Sequence, residues 1–213
     1  MSPQRCRRIF ETLRAANPQP RSELHYRSPF ELLIAVMLSA QATDRGVNLA
    51  TAGLFAEAST PERMLELGLA GLKRHIRTIG LYNTKARNIL ATCQRLVSEH
   101  GGQVPRERAA LEALPGVGRK TANIVLNVAF GEATLGVDTH VFRVANRTGL
   151  FRADSPRAVE DGLLKVIPAE LRLNAHHWLL LHGRYICKAR RPECPRCPIE
   201  RWCEYEHKTK ALP

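Results

Sequence analysis

The 213-residue chain predicts an all-α protein. Three observations carry that reading. Apolar residues recur at helical spacing along nearly the whole sequence, and strand-like alternation is scarce. Hydroxyl or acidic residues stand directly ahead of apolar runs at Ser28-Pro29, Thr43-Asp44, Thr60-Pro61, Asp138-Thr139 and Ser155-Pro156, where N-caps and first-turn prolines belong. No repeat or low-complexity tract interrupts the pattern, so about ten short helices follow with no long flexible linker between them.

In chain order, Ile9, Leu13 and Ala16 give a first amphipathic helix that ends before Asn17-Pro18. The second starts at Ser28-Pro29, and its body, Phe30 to Ala40, is apolar almost all round, which places it at the centre of its domain. Thr43-Asp44 opens the third helix. Ser39, Gln41 and Asp44 therefore gather at a helix junction, either as caps or as a site. Thr60-Pro61 opens a fourth. Gly80-Leu81-Tyr82-Asn83 is a loop ahead of a helix from Thr84 to His100, which Gly101-Gly102 terminates. Leu81 is either core packing or, beside a nucleic-acid face, a wedge between bases.

The stretch Leu114-Pro115-Gly116-Val117-Gly118-Arg119-Lys120-Thr121 is a tight turn opening directly into an apolar helix through Phe130. It is a hairpin that delivers a lysine. A helix N-terminus carries unpaired N–H groups and the positive end of the dipole, and glycines let the backbone approach an anion, so phosphate is its natural ligand. A dinucleotide-binding reading fails, because no third glycine and no preceding strand are present. The remaining alternative is a plain helical corner with a surface lysine. Beyond it, Asp138-Thr139 begins a helix through Thr148, Ser155-Pro156 one to Ile167, and the last helix covers Ala175 to Ile186.

Lys and Arg number 32 against 20 for Asp and Glu, a formal charge of +12 with a pI near 10.0. Such a balance suits a polyanion such as nucleic acid, with a membrane surface the weaker choice. No run of about 18 apolar residues occurs and the first ten residues lack an apolar signal core, so the chain reads as intracellular. Cys6 and Cys93 stand alone. Cys187, Cys194, Cys197 and Cys203 crowd into one segment, close enough for one tetrahedral centre, and in a reducing compartment they read as ligands rather than disulfides.

Four cysteines suit a structural zinc or an iron–sulfur cubane, with zinc favoured by spacing alone. Every ligand is a protein thiolate, so the centre has no open position and its role is structural. Lys188, Arg190, Arg191, Arg196 and Arg201 outnumber Glu193 and Glu200 around it, so the centre fixes a basic surface on which Arg191 is read as a phosphate contact. His176, His177 and His182 read as packing or phosphate-facing residues.

Lys120 and Asp138 form a possible amine and carboxylate pair if the chain doubles back through Glu132 to Gly136. A lysine amine is mostly protonated in neutral water; partial burial and the positive end of a helix favour its nucleophilic form. Asp138 can accept a proton and face a cationic sugar transition state, and it can also cap the helix it begins.

These residues together resemble the endonuclease III family, helix-hairpin-helix DNA glycosylases with a four-iron, four-sulfur cluster. The resemblance spans nearly the whole chain: the Leu114 to Lys120 hairpin, Leu38-Ser-Ala-Gln41-Ala-Thr-Asp44, Ile79-Gly-Leu-Tyr82, Val137-Asp-Thr-His140 and the four-cysteine spacing. Gly136 is a small departure, where a larger residue is expected. The resemblance implies removal of oxidised pyrimidines from duplex DNA and β-elimination 3′ to the abasic sugar. It implies Lys120 as the nucleophile on C1′ and Asp138 as its carboxylate. Gln41 and Leu81 would fill the gap left by a flipped base, with Ile79 beside them, and Ser39 and Asp44 would line the pocket. Gly116 and Gly118 would meet the DNA backbone.

It decides the metal as one [4Fe–4S] cluster per chain on Cys187, Cys194, Cys197 and Cys203. It also implies a six-helix domain, residues 22–132, with the hairpin at about 108–130, and a cluster domain from residues 1–21 and 133–213, with DNA and pocket between them. The partner would be duplex DNA with damaged pyrimidines or abasic sites, met by a monomer in the cytoplasm or on the nucleoid. Two rivals remain: a mismatch glycosylase of the same fold, disfavoured in its adenine form by Lys120, and a non-catalytic redox-sensing DNA-binding module, which would not need the Lys120 and Asp138 pair.

Overall fold

The computed structural model describes residues 1–210; residues 211–213, the end of the expected cluster domain, lie outside the described residues. Among the described residues the chain is helical throughout, with ten α-helices and three 3₁₀ turns. They are α1 (Pro3–Ala16), α2 (Pro29–Ser39), α3 (Asp44–Glu57), α4 (Pro61–Ile76), α5 (Tyr82–His100), α6 (Arg108–Ala113), α7 (Arg119–Phe130), α8 (Thr139–Thr148), α9 (Pro156–Val166) and α10 (Arg172–Tyr185). The chain divides into two compact units, one from Ser22–Gly131 and one formed by Met1–Arg21 with the chain from Glu132 onward.

The Ser22–Gly131 unit holds α2 to α7. Its axis is α2, whose residues from Phe30 to Leu38 are all buried. Ser28 caps it by accepting from the Glu31 N–H, and the buried Glu31 carboxylate holds the Arg27 guanidinium at 3.0 Å. Thr43 and Thr60 cap α3 and α4 in the same way. Around α2 pack α3, α5 and α7, with α4 against α5 and α6 against α7. Gly68, at φ +68°, breaks the regular turn inside α4, which periodicity alone does not announce.

The second unit gathers α1 with α8, α9 and α10 around Phe10, Val141, Val144, Leu163 and Leu179. The first helix belongs to it because the Trp178 indole N–H donates to the Asn17 carbonyl at 2.8 Å and the Trp178 ring lies 6.3 Å from that of Phe10. Asp138 and Ser155 cap α8 and α9. Two boundaries move from the sequence reading. α5 begins at Tyr82 instead of Thr84, because Leu81 in the left-handed conformation turns the chain into the helix without a capping side chain. α10 begins at Arg172, because the 3₁₀ turn Ala169–Leu171 feeds straight into it. Among the described residues no helix is long and apolar enough to cross a membrane.

Candidate active site

The hairpin between α6 and α7 is pinned from below and open above. Leu111, Leu114 and Val117 are buried, and the Val117 N–H closes onto the Leu114 carbonyl at 3.1 Å. Pro115 and Gly116 fill the two central positions of that turn, with Gly116 at φ +78°, the conformation that favours glycine. A Cβ on Gly116 would also lie 2.8 Å from the Asn88 amide, so the position needs glycine twice over. The Thr92 hydroxyl donates to the Pro115 carbonyl at 2.8 Å and fixes the turn to α5.

Gly118 begins α7 in extended backbone with no capping side chain and open space around it. The first N–H groups of α7 thus stay available at the positive end of a twelve-residue helix. Lys120 sits in this first turn, exposed, and among the described residues its amine has no hydrogen-bond or ion-pair partner. The partial burial expected for it is not seen.

Asp138 caps α8 with one oxygen. Its Oδ1 accepts from the N–H groups of His140 at 2.9 Å and Val141 at 2.8 Å, and its second oxygen has no partner among the described residues. The cap therefore occupies one oxygen of the carboxylate and leaves the other over. Lys120 opens α7 in one unit and Asp138 opens α8 in the other.

Gln41 and Leu81 share one peculiarity. Among the described residues they are the non-glycine positions with positive φ, +56° and +60°. Each occupies the third position of a tight turn, closed by the Ala42 N–H on Ser39 and the Tyr82 N–H on Ile79. Glycine or asparagine is usual there, and a larger residue costs about 1 to 3 kcal/mol. Both side chains are exposed, Leu81 at 63%. The turns adjoin, since a Cβ on Gly80 would lie 3.7 Å from the Gln41 carbonyl.

Ile79 does not share this exposure. Its side chain is buried in the core, so a direct side-chain contact with DNA does not fit, and its carbonyl serves to close the Leu81 turn. Ser39 is half-buried with its hydroxyl donating to Val36 at 2.8 Å, and Asp44 begins α3.

Cys187, Cys194, Cys197 and Cys203 line a single cavity with Thr148, His182 and Tyr205. Burial pushes the Cys197 thiol up to about 11 and raises Cys203, so thiolates form there only when positive charge shares the cavity. The loop is held from α8. Arg143 donates to the Gly183 carbonyl at 2.7 Å and Cys187 at 2.9 Å, and Arg147 to Lys188 and Ala189 at 2.7 Å each. Lys188 and Arg196 pair with Glu193, whereas Arg191 is exposed and has no partner among the described residues. His176, His177 and His182 are buried, which decides for packing over phosphate contact.

Sequence reasoning passed over Arg143, Arg147 and Lys85. Lys85 is buried on the apolar stripe of α5 with Ala86, Ile89 and Cys93, and its presence on that stripe was the available signal.

Residues 34–169 match the HhH-GPD superfamily base excision DNA repair protein family. The chain is 60% identical over 200 residues to endonuclease III of Escherichia coli strain K12, covering 94% of this chain and 95% of that protein. It is 59% identical over 202 residues to endonuclease III of Haemophilus influenzae, covering 95% and 96%. A trapped endonuclease III–DNA covalent intermediate matches with a TM-score of 0.90 and 47% identity over 96% of both chains. A thermostable thymine-DNA glycosylase matches with a TM-score of 0.83 and 25% identity, over 95% of this chain and 96% of that one. Within the superfamily, the chain belongs to the endonuclease III family.

Gly116→Ala should destabilise the protein by about 1 to 3 kcal/mol in urea unfolding, from left-handed strain plus the Asn88 clash. Gly118→Ala, at φ −92° with space around it, should change stability far less. Equal losses would mean that the turn geometry is not what Gly116 supplies.

Proposed function

We propose that the protein is a bifunctional DNA glycosylase and abasic-site lyase of base excision repair, acting on oxidised pyrimidines in duplex DNA. The observation that carries this reading is the partnerless Lys120 amine in the first turn of α7, beside N–H groups left uncapped for a phosphate. Binding to phosphate through Gly116, Gly118 and the start of α7 sets the register of the duplex and leaves the amine aimed at the sugar.

The target nucleotide must leave the stack, since C1′ is unreachable inside it. Leu81 and Gln41 fill the vacated space, and Ser39 and Asp44 line the pocket that receives the base. The Lys120 nitrogen then forms a bond to C1′ as the bond from C1′ to the base nitrogen breaks, and the base departs with a proton. The free oxygen of Asp138 takes the proton that Lys120 gives up and faces the positive charge that develops on the sugar. Ring opening leaves a Schiff base. Loss of a C2′ proton then expels the 3′ phosphate from C3′, which cuts the strand 3′ to the abasic site.

Cys187, Cys194, Cys197 and Cys203 hold a [4Fe–4S] cluster. The donor set fits, being four thiols around one cavity. The choice of an iron–sulfur cluster over a single zinc rests on the likeness to the endonuclease III relatives. The group supplies a rigid frame for the loop that presents Arg191. The relatives' names and the absence of a membrane-crossing helix among the described residues support action on chromosomal DNA in the cytoplasm.

The following outcomes test this reading. Borohydride should trap a protein–DNA adduct on duplex carrying thymine glycol, and Lys120→Gln should abolish the adduct while still binding the lesion. Asp138→Asn keeps the cap and should lose about 10²- to 10⁴-fold in rate with modest change in affinity. Trapping by Lys120→Gln, or full activity of Asp138→Asn, would remove that residue from the chemistry. A mismatched adenine or thymine as preferred substrate would favour the rival glycosylase. Purified protein should contain about four irons and four sulfides per chain, with Cys197→Ser losing the colour and exposing the loop to protease. Stoichiometric zinc without sulfide in anaerobically prepared protein would refute the cluster. Arg191→Ala should flatten the slope of log K against log salt by about one unit and leave lesion preference in place. An unchanged slope would take Arg191 off the interface.

A further inference from the structure

Lys85 is a buried charged residue for which the chemistry above has no use. It is 8% exposed, on a helix face shared with Ala86, Ile89, Thr92, Cys93 and Leu96. Its amine donates to the Leu38 carbonyl at 2.8 Å and the Ala40 carbonyl at 2.5 Å. No carboxylate pairs with it among the described residues. Burial lowers its pKa, and the negative end of the α2 dipole, where both carbonyls lie, works to keep the amine charged. Its own backbone N–H donates to the Leu81 carbonyl at 3.0 Å.

One residue therefore ties down the chain immediately before Gln41 and the carbonyl of Leu81 itself. Among the described residues these are the two non-glycine left-handed positions, and such a conformation persists only where the surroundings over-determine it. Each turn alone closes with a single backbone hydrogen bond. Besides the direct approach of Gly80 to the Gln41 carbonyl, the Lys85 side chain links the end of α2 to the first turn of α5, whose backbone ladder begins on the Leu81 carbonyl.

We propose that Lys85 is a positioning residue that fixes the Gln41 turn and the Leu81 turn in one mutual register, so that the two side chains enter the base stack together. It acts on insertion and not on the reaction at the sugar. This rests on the reading of Gln41 and Leu81 as the residues that fill the gap.

Lys85→Met is the test, because it retains the length and apolar stem and removes the donors. Helical circular dichroism and a thermal melt check folding; if Met does not fold, Lys85→Gln, which keeps an amide donor, replaces it. Lys85→Arg serves as the conservative rescue. The substrate is a thymine-glycol duplex with 2-aminopurine opposite the lesion, so that fluorescence reports unstacking, at saturating protein in a single turnover. Unstacking and base release should slow together by about 30-fold or more in the folded variant, with partial recovery in Lys85→Arg. Affinity for undamaged duplex and borohydride trapping on a single-stranded abasic oligonucleotide should stay within about threefold.

Leu81→Ala run in parallel separates the two readings. If Leu81→Ala slows unstacking and the folded Lys85 variant does not, the role of Lys85 is overturned alone. If neither slows it, the assignment of the gap-filling residues falls and takes this proposal with it. An equal fall in duplex affinity, unstacking and single-strand trapping would be general damage, and would also overturn it.

Discussion

An apolar helix buried from Phe30 to Leu38 must end somewhere, and its last carbonyls then need donors from outside the helix. In α2 that need is met by the Lys85 amine at Leu38 and Ala40. Much of the Ser22–Gly131 unit is arranged around this helix, with α3, α5 and α7 packed on it. The chain can leave it in a tight turn at Gln41 only because its final carbonyls are already satisfied.

Helix α8 combines two duties along its own length. At its start Asp138 gives one oxygen to the cap and keeps the other, and further along Arg143 and Arg147 hold the backbone that carries the first cysteine. The proposed catalytic carboxylate and the loop of the proposed cluster therefore share one rigid element. Three hydrogen bonds, to the carbonyls of Cys187, Lys188 and Ala189, tie the loop to the helix.

Much of the architecture was legible because its signals are local. Ser28, Thr43, Thr60, Asp138 and Ser155 cap helices where their positions said they would. The Pro115-Gly116 turn also follows from its two residues. What stayed hidden depends on partners distant in sequence or on conformations with no residue signature. Leucine at 81 gives no hint of a left-handed helix start, and Ile79 looks as exposed as its neighbour until the core claims it. Periodicity places Lys85 on the inner face of α5 but does not name the carbonyls at the far end of another helix. The partnerless amine of Lys120 and the free oxygen of Asp138 are likewise visible only once the surroundings are in place.

The unit that contains α1 is assembled from two segments of chain that flank the other unit. On a ribosome, α1 emerges before the Ser22–Gly131 unit, and the Trp178 ring and α10 that cover its apolar face emerge after it. The Ser22–Gly131 unit can condense in the meantime, because α2 to α7 are contiguous. Until α10 has emerged, Ile9, Phe10 and Leu13 remain without their permanent partners, and the nascent chain carries a sticky segment throughout that interval.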